Sequence, residues 1–284
     1  MASLRLTSAS RRATVEIMGA GTSTKSELLV RELLESAGFM VKPIPRSDRR
    51  TADFIVGDDG HRYLVEVTEK LPKHDYREFA KRANADGGAI LKRLMDRDTR
   101  IDDALHDKTD QLRQTPISAD FNVLAVTAFH EDAGYLLEVL SRTLYGIADL
   151  QAIRAMTVEA IAQAISDGAT ERVCFYYDHP SLMDHTDLQG VMFVSVDKVC
   201  LFVNPFASKV AAFRSSHLCS EFAARKSLID PEVQKGASDW FLDGEVDRTD
   251  EKAKHDALRK KYGMLTQRTK DAHWKGMMVQ SLIK

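Results

Sequence analysis

The sequence predicts an α/β fold, a central mixed β-sheet flanked by helices, followed by a helical C-terminal appendage. Three observations lead there. Helical and extended patterns alternate along residues 25–204. The run FNVLAVTAF, 121–129, is apolar without alternation, as in a strand buried on both faces inside a mixed or parallel sheet. The stretch TADFIVGDDGHRYLVEVTEK, 51–70, sets two apolar runs about a GDDG turn, which is the pattern of a hairpin. Beyond about residue 210 no strand-like run stands out, so the chain divides into an α/β domain over 1–210 and a helical extension over 211–284.

The elements follow in order. KSELLVRELLESA, 25–37, carries apolar residues at 28, 29, 33 and 34, the spacing of a helix laid on a core. Thr22, Ser23 and Thr24 are candidate caps, and Gly38 ends it. FMVKPI and ADFIV read as strands, and GDDG turns the second into RYLVEVT. Residues 76–82 read as a short helix that NADGG breaks. A long amphipathic helix runs from about 89 to 114 and is closed by Pro116. After the strand at 121–129, helical patterns cover about 134–167. RVCFYYD, GVMFVSV and KVCLFVN are further strands, the last two joined by a hairpin near Asp197.

Composition narrows the function classes. A chain of 284 residues with 44% hydrophobic content supplies an ample core, and 29% charged residues are ordinary for a soluble protein. A net charge of −2 gives no general pull toward nucleic acid or membrane, although RSDRR (46–50) and RKKYGM (259–264) are locally basic. Cys174, Cys200 and Cys219 are odd in number and lack CxxC spacing, which argues against a disulfide framework and a zinc knuckle. No apolar run approaches the ~18 residues of a membrane span, and MASLRLTSASRR lacks the continuous apolar segment of a signal peptide. The expectation is a cytoplasmic protein without a membrane partner.

Two carboxylates stand out. Asp53 heads one predicted strand and Glu66 lies inside the next. A carboxylate on a buried strand costs on the order of several kcal/mol unless its charge is compensated. Side by side at the strand ends, the two would repel, and a divalent cation is the usual remedy. Hard oxygen ligands of this kind suit Mg²⁺ or Mn²⁺, with water and substrate phosphate completing the shell.

A helix with an acidic residue, then GF, a strand, an Asp, a hairpin and E-V-x resembles the PD-(D/E)XK, or restriction-endonuclease-like, nuclease superfamily. It is most similar to Holliday-junction-resolvase-type members, and the resemblance spans roughly residues 22–129. It implies a metal-dependent endonuclease or phosphodiesterase acting on DNA, with Mg²⁺ or Mn²⁺ as cofactor. Asp53 and Glu66 would be the motif carboxylates, and Glu27 the first-helix acid and a further ligand. Ser47 would be the polar loop residue before the Asp, and Gln111 a helix residue completing the site. A homodimer contact through the C-terminal extension is a further expectation. The sequence departs from the family pattern at the motif lysine, which is Thr68 here. Three alternatives stay open. Lys70 shares the strand face with Glu66 and lies about 6.5 Å beyond position 68. Lys108 lies on the long helix near Gln111, and family members do relocate this lysine to a neighbouring helix. The third alternative is loss of the lysine, leaving a degenerate module that binds nucleic acid or a protein partner.

Other signals are weaker. GAGTSTKS, 19–26, misses the second glycine of a phosphate-binding loop at Thr24 and reads as a helix entry. His179 and His185 are separated by five residues between them, which is not a standard metal spacing. Trp240 and Trp274 read as packing residues.

Overall fold

The computed structural model describes residues 23–45, 50–70, 90–91, 98–129, 133–153, 170–233, 236, 239–268 and 277–278. The strands are β1 Met40–Pro43, β2 Phe54–Gly57, β3 Arg62–Glu69, β4 Ile90–Leu91, β5 Phe121–Ala128, β6 Ala148–Ile153 and β7 Thr170–Phe175. They continue as β8 Gly190–Ser195, β9 Val199–Val203, β10 Leu228–Ile229, β11 Asp239–Phe241, β12 Leu265–Arg268 and β13 Met277–Met278. The helices are α1 Lys25–Ser36, α2 Thr99–Gln114, α3 Ala133–Tyr145, α4 Val210–Arg214, α5 His217–Ala224 and α6 Glu251–Tyr262. The chain forms two compact units, each drawn from three stretches: 1–71, 103–134 and 185–230 in one, 72–102, 135–184 and 231–284 in the other.

The first unit is built on a seven-stranded mixed sheet ordered β1-β2-β3-β5-β8-β9-β10. The β1–β2–β3 meander is antiparallel, β3, β5 and β8 run parallel, β9 returns antiparallel, and β10 closes the edge parallel to β9. Side chains alternate across a strand, so each central strand serves two cores. On one face Val65 and Val67 of β3, Val123 and Ala125 of β5 and Val203 of β9 pack with Val30 and Leu34 of α1 and with Phe213 and Phe222 of α4 and α5. Leu64, Glu66, Leu124 and Val126 alternate onto the opposite face, where the 103–114 part of α2 reaches Glu66. Leu105, Thr109 and Leu112, at i, i+4 and i+7, form the buried stripe of that helix.

The second unit holds a four-stranded sheet ordered β11-β7-β6-β12 and a two-stranded ladder of β4 with β13. Its core includes Leu150, Cys174, Trp240 and Leu258. Trp240 stacks on Tyr262 with ring centroids 4.4 Å apart and planes 5° from parallel, so this tryptophan is a packing residue. Trp274 lies outside the described residues. No helix among the described residues is long and apolar enough to cross a membrane. All three cysteines are free.

The structure corrects three expectations. The amphipathic helix begins at Thr99 rather than near 89, and Ile90–Leu91 is a strand paired with Met277–Met278. Residues 148–153 form β6 rather than helix. Ala, Leu and Gln favour helix, but burial of Ala148, Leu150 and Ala152 follows a period of two, and pairing with β7 overrides propensity. Residues 211–284 are not a helical extension: β10 completes the first sheet, and β11 and β12 are edges of the second. Strands of two to four residues are too short to show a periodicity. The short helix expected at 76–82 lies outside the described residues.

Gly146 is what separates α3 from β6. Its φ is +58°, and a Cβ there would lie 2.1 Å from the carbonyl oxygen of Asp178. Gly146→Ala is therefore expected to destabilise the protein by more than about 2 kcal/mol, adding a clash to the left-handed backbone penalty, as measured by urea denaturation.

Candidate active site

The hairpin sets the site. Phe54 pairs with Val65, and Asp53, just before it, donates its amide to the Val65 carbonyl, which sets it beside Glu66. The turn is held by Asp58, which accepts the amides of Gly60 at 2.7 Å and His61 at 2.6 Å and the Tyr63 hydroxyl at 2.8 Å. Burial works against this carboxylate, but those donors outweigh it and hold its pKa below the ordinary value. Asp53 is fixed by its backbone: its amide donates to Val65 O, and its carbonyl accepts from Ile44. Its Oδ2 accepts the Val67 amide at 2.8 Å.

Glu66 is 1% exposed, and both its oxygens are satisfied from α2. Lys108 Nζ lies 2.5 Å from Oε1, and Gln111 Nε2 donates to Oε2 at 2.9 Å. The two helix residues are one turn apart and touch each other, Lys108 Nζ donating to Gln111 Oε1 at 3.2 Å. Gln111 Nε2 also donates to Thr51 O at 2.6 Å. The Lys108 side chain keeps 28% of its surface exposed, so the cluster is open to solvent on the lysine side.

Two carboxylates and one lysine leave the cluster short of positive charge. Burial, then the charge of Asp53, pushes Glu66 up to about 8, although Lys108 pulls the other way. Burial likewise raises Asp53 against the Val67 amide, and the charge of Glu27 adds to the rise. The two carboxyl groups are near enough to hydrogen-bond when one holds a proton.

Among the expected site residues, the structure thus brings together Asp53, Glu66, Lys108 and Gln111. Thr68 is half-buried, and its carbonyl accepts from the Thr127 hydroxyl at 3.4 Å. The lysine bonded to Glu66 is Lys108. Lys70 follows the end of β3, with its amide donating to Thr127 O. Glu27 lies close enough for its charge to raise Asp53, and no group of three or more His, Cys, Asp or Glu that could hold a metal occurs among the described residues. The Glu27 carboxylate accepts the Thr24 amide at 3.2 Å in a capping box, a use that the Thr24-x-x-Glu27 spacing already contained. Ser47 and residues 19–22 lie outside the described residues. His179 bonds Asp184 at 2.8 Å, while His185 is buried.

Sequence reasoning missed Thr115. Its hydroxyl accepts the Ala52 amide at 2.8 Å and donates to Gln111 O at 2.9 Å. The available signal was spacing, since 115 follows 108 and 111 at helical intervals, directly after the end of α2.

Comparison with protein-family models, curated proteins and solved structures yields no match to this chain. The fold class therefore rests on topology alone: an α/β protein with a seven-stranded mixed sheet flanked by helices.

The raised carboxyl has a consequence for stability. A group that holds its proton more tightly when folded favours folding while protonated. That contribution is fully present below the unfolded value near 4.5 and is lost as pH rises to about 8. Metal-free protein is expected to lose up to about 1.4 kcal/mol per pH unit inside this window, and Glu66→Gln to flatten the profile. Urea midpoints between pH 5 and 8 measure both.

Proposed function

We propose that the chain is a metal-dependent endonuclease or phosphodiesterase acting on DNA, of the restriction-endonuclease-like PD-(D/E)XK type, using Mg²⁺ or Mn²⁺. The supporting observation is the delivery of Lys108 and Gln111 from α2 onto Glu66 beside Asp53, at the strand position where the family motif would carry its acid.

The donor set fits a small divalent cation. Asp53 and Glu66 offer hard oxygens, and both hold their protons more tightly than usual, through burial first and then the charge of Glu27 on Asp53 and of Asp53 on Glu66. A bound cation would polarise the scissile phosphate and lower the pKa of its water. The protein supplies the rest. Asp53 and Glu66 would hold the cation, and Gln111 keeps the Glu66 carboxylate turned toward Asp53. Lys108, on the solvent-open side, would donate hydrogen bonds that orient the attacking water or stabilise the charged phosphate oxygens. The exposed Arg50, three residues before Asp53, adds positive charge on the approach of a polyanion.

A second reading is a degenerate module of the same fold that binds nucleic acid or a protein partner. Lys108 favours it, because its ammonium occupies Glu66 Oε1, one of the oxygens a cation would need.

Plasmid nicking by pure protein with Mn²⁺, Mg²⁺ or chelator separates the two. The nuclease reading expects metal-dependent nicking that Asp53→Asn abolishes together with Mn²⁺ binding. Lys108→Ala should cut the rate about 10²–10³-fold. It should still bind Mn²⁺ at least as tightly as wild type, because Glu66 Oε1 is released. Lys70→Ala should cleave normally. Binding of DNA without nicking under any metal condition favours the module.

A further inference from the structure

We infer that Thr115 is a positioning residue for the Asp53 carboxylate, acting through the amide of Ala52; the inference rests on the nuclease reading above. The β1–β2 and β2–β3 ladders run out at Asp53, whose amide and carbonyl make the last bonds on either side. Residues 51 and 52 continue toward the site and are gripped by α2 and the residue that follows it instead. Thr51 O accepts from Gln111 Nε2 at 2.6 Å, and the Ala52 amide donates to Thr115 Oγ1 at 2.8 Å. The two gripping residues lie four apart, Gln111 in the last turn of α2 and Thr115 directly after it, and are themselves coupled, Thr115 Oγ1 donating to Gln111 O at 2.9 Å.

The same Gln111 bonds Glu66 and Lys108. Thr115 is 7% exposed and Ala52 is 1% exposed, so no water competes freely for this bond. The last turn of α2 therefore sets where Asp53 stands relative to Glu66 and Lys108. Without the hydroxyl, the Ala52 amide is left buried and unpaired, and the peptide preceding Asp53 must turn to find a partner.

The test uses full-length protein with Thr115→Val, which keeps shape and removes the hydroxyl, and Thr115→Ser, which keeps the hydroxyl. Steady-state nicking, Mn²⁺ affinity by paramagnetic resonance titration, and Tm are read for each. Thr115→Val should lower kcat about tenfold, since small misplacements of reacting groups carry costs of this size, with KM for DNA within about twofold of wild type. It should weaken Mn²⁺ binding several-fold, and Thr115→Ser should restore both. Wild-type kcat and Mn²⁺ affinity in Thr115→Val, with only Tm lowered, would overturn the positioning role while leaving the nuclease reading intact. Failure of Thr115→Ser to rescue would also overturn it. A wild-type protein that neither binds Mn²⁺ nor nicks DNA overturns both. Should Thr115→Val not fold, Thr115→Ala against Thr115→Ser isolates the hydroxyl in the same way.

Discussion

Burying the Glu66 carboxylate in an otherwise apolar sheet face constrains everything around it. The charge cannot reach solvent, so its two oxygens must be met from within the first unit, and α2 meets both. Removing one member of such a pair costs about 3–5 kcal/mol because the other is left buried and uncompensated. The helix is thereby fixed in rotation as well as in position, since only one face presents Lys108 and Gln111 together. Its far end is anchored by Arg113, which forks onto Asp187 with one arm at 2.7 Å. An apolar contact alone would tolerate sliding along the sheet; these directional bonds do not.

A comparison with the second unit shows why this cluster differs from an ordinary ion network. There Lys254 is also buried, 1% exposed, with Glu251 at 2.5 Å, Asp178 at 3.4 Å and the Tyr177 ring centroid at 4.2 Å. Arg268 adds a second cation on Asp178 at 2.9 Å. Two acids face two bases, and although burial opposes it, Lys254 and the Tyr177 hydroxyl hold Glu251 below its ordinary pKa. In the first unit two acids face one base, and both acids are raised. Balanced charge is what a structural tie requires. A deficit of positive charge at an open face is what the proposed cation would offset.

The legibility of these features in the sequence follows the range of the forces involved. The hairpin was readable because its turn and its alternation are local, and with it came the register that sets Asp53 against Glu66. The stripe of α2 was readable for the same reason. Whether Lys70 or Lys108 reaches Glu66 was not, because a strand neighbour and a helix forty-two residues away become equivalent only after packing. Thr115 escaped notice because its partner is a main-chain amide, and the sequence carries no mark of which amides a ladder leaves over. β6 and the short strands beyond residue 210 were hidden for another reason: tertiary pairing overrode helix-favouring composition, or the run was too brief to have a period. Glu27 shows how one side chain can serve two ends, capping its own helix while its charge bears on Asp53.

The division of the chain into interleaved stretches bears on its biosynthesis. The strands next to β3 on its parallel side are contributed by residues 121–128 and then 190–195, and the sheet edge by 228–229. An emerging polypeptide thus presents the hairpin and α2 well before the partners that bury the far half of the sheet are made. The β5 edge, apolar along its length, must wait through the whole 135–184 stretch with its hydrogen-bonding groups unpaired. Neither unit can be excised as one contiguous fragment. A nascent chain halted between residues 128 and 190 would expose a sticky strand margin, the kind of surface that holdase chaperones shield during translation.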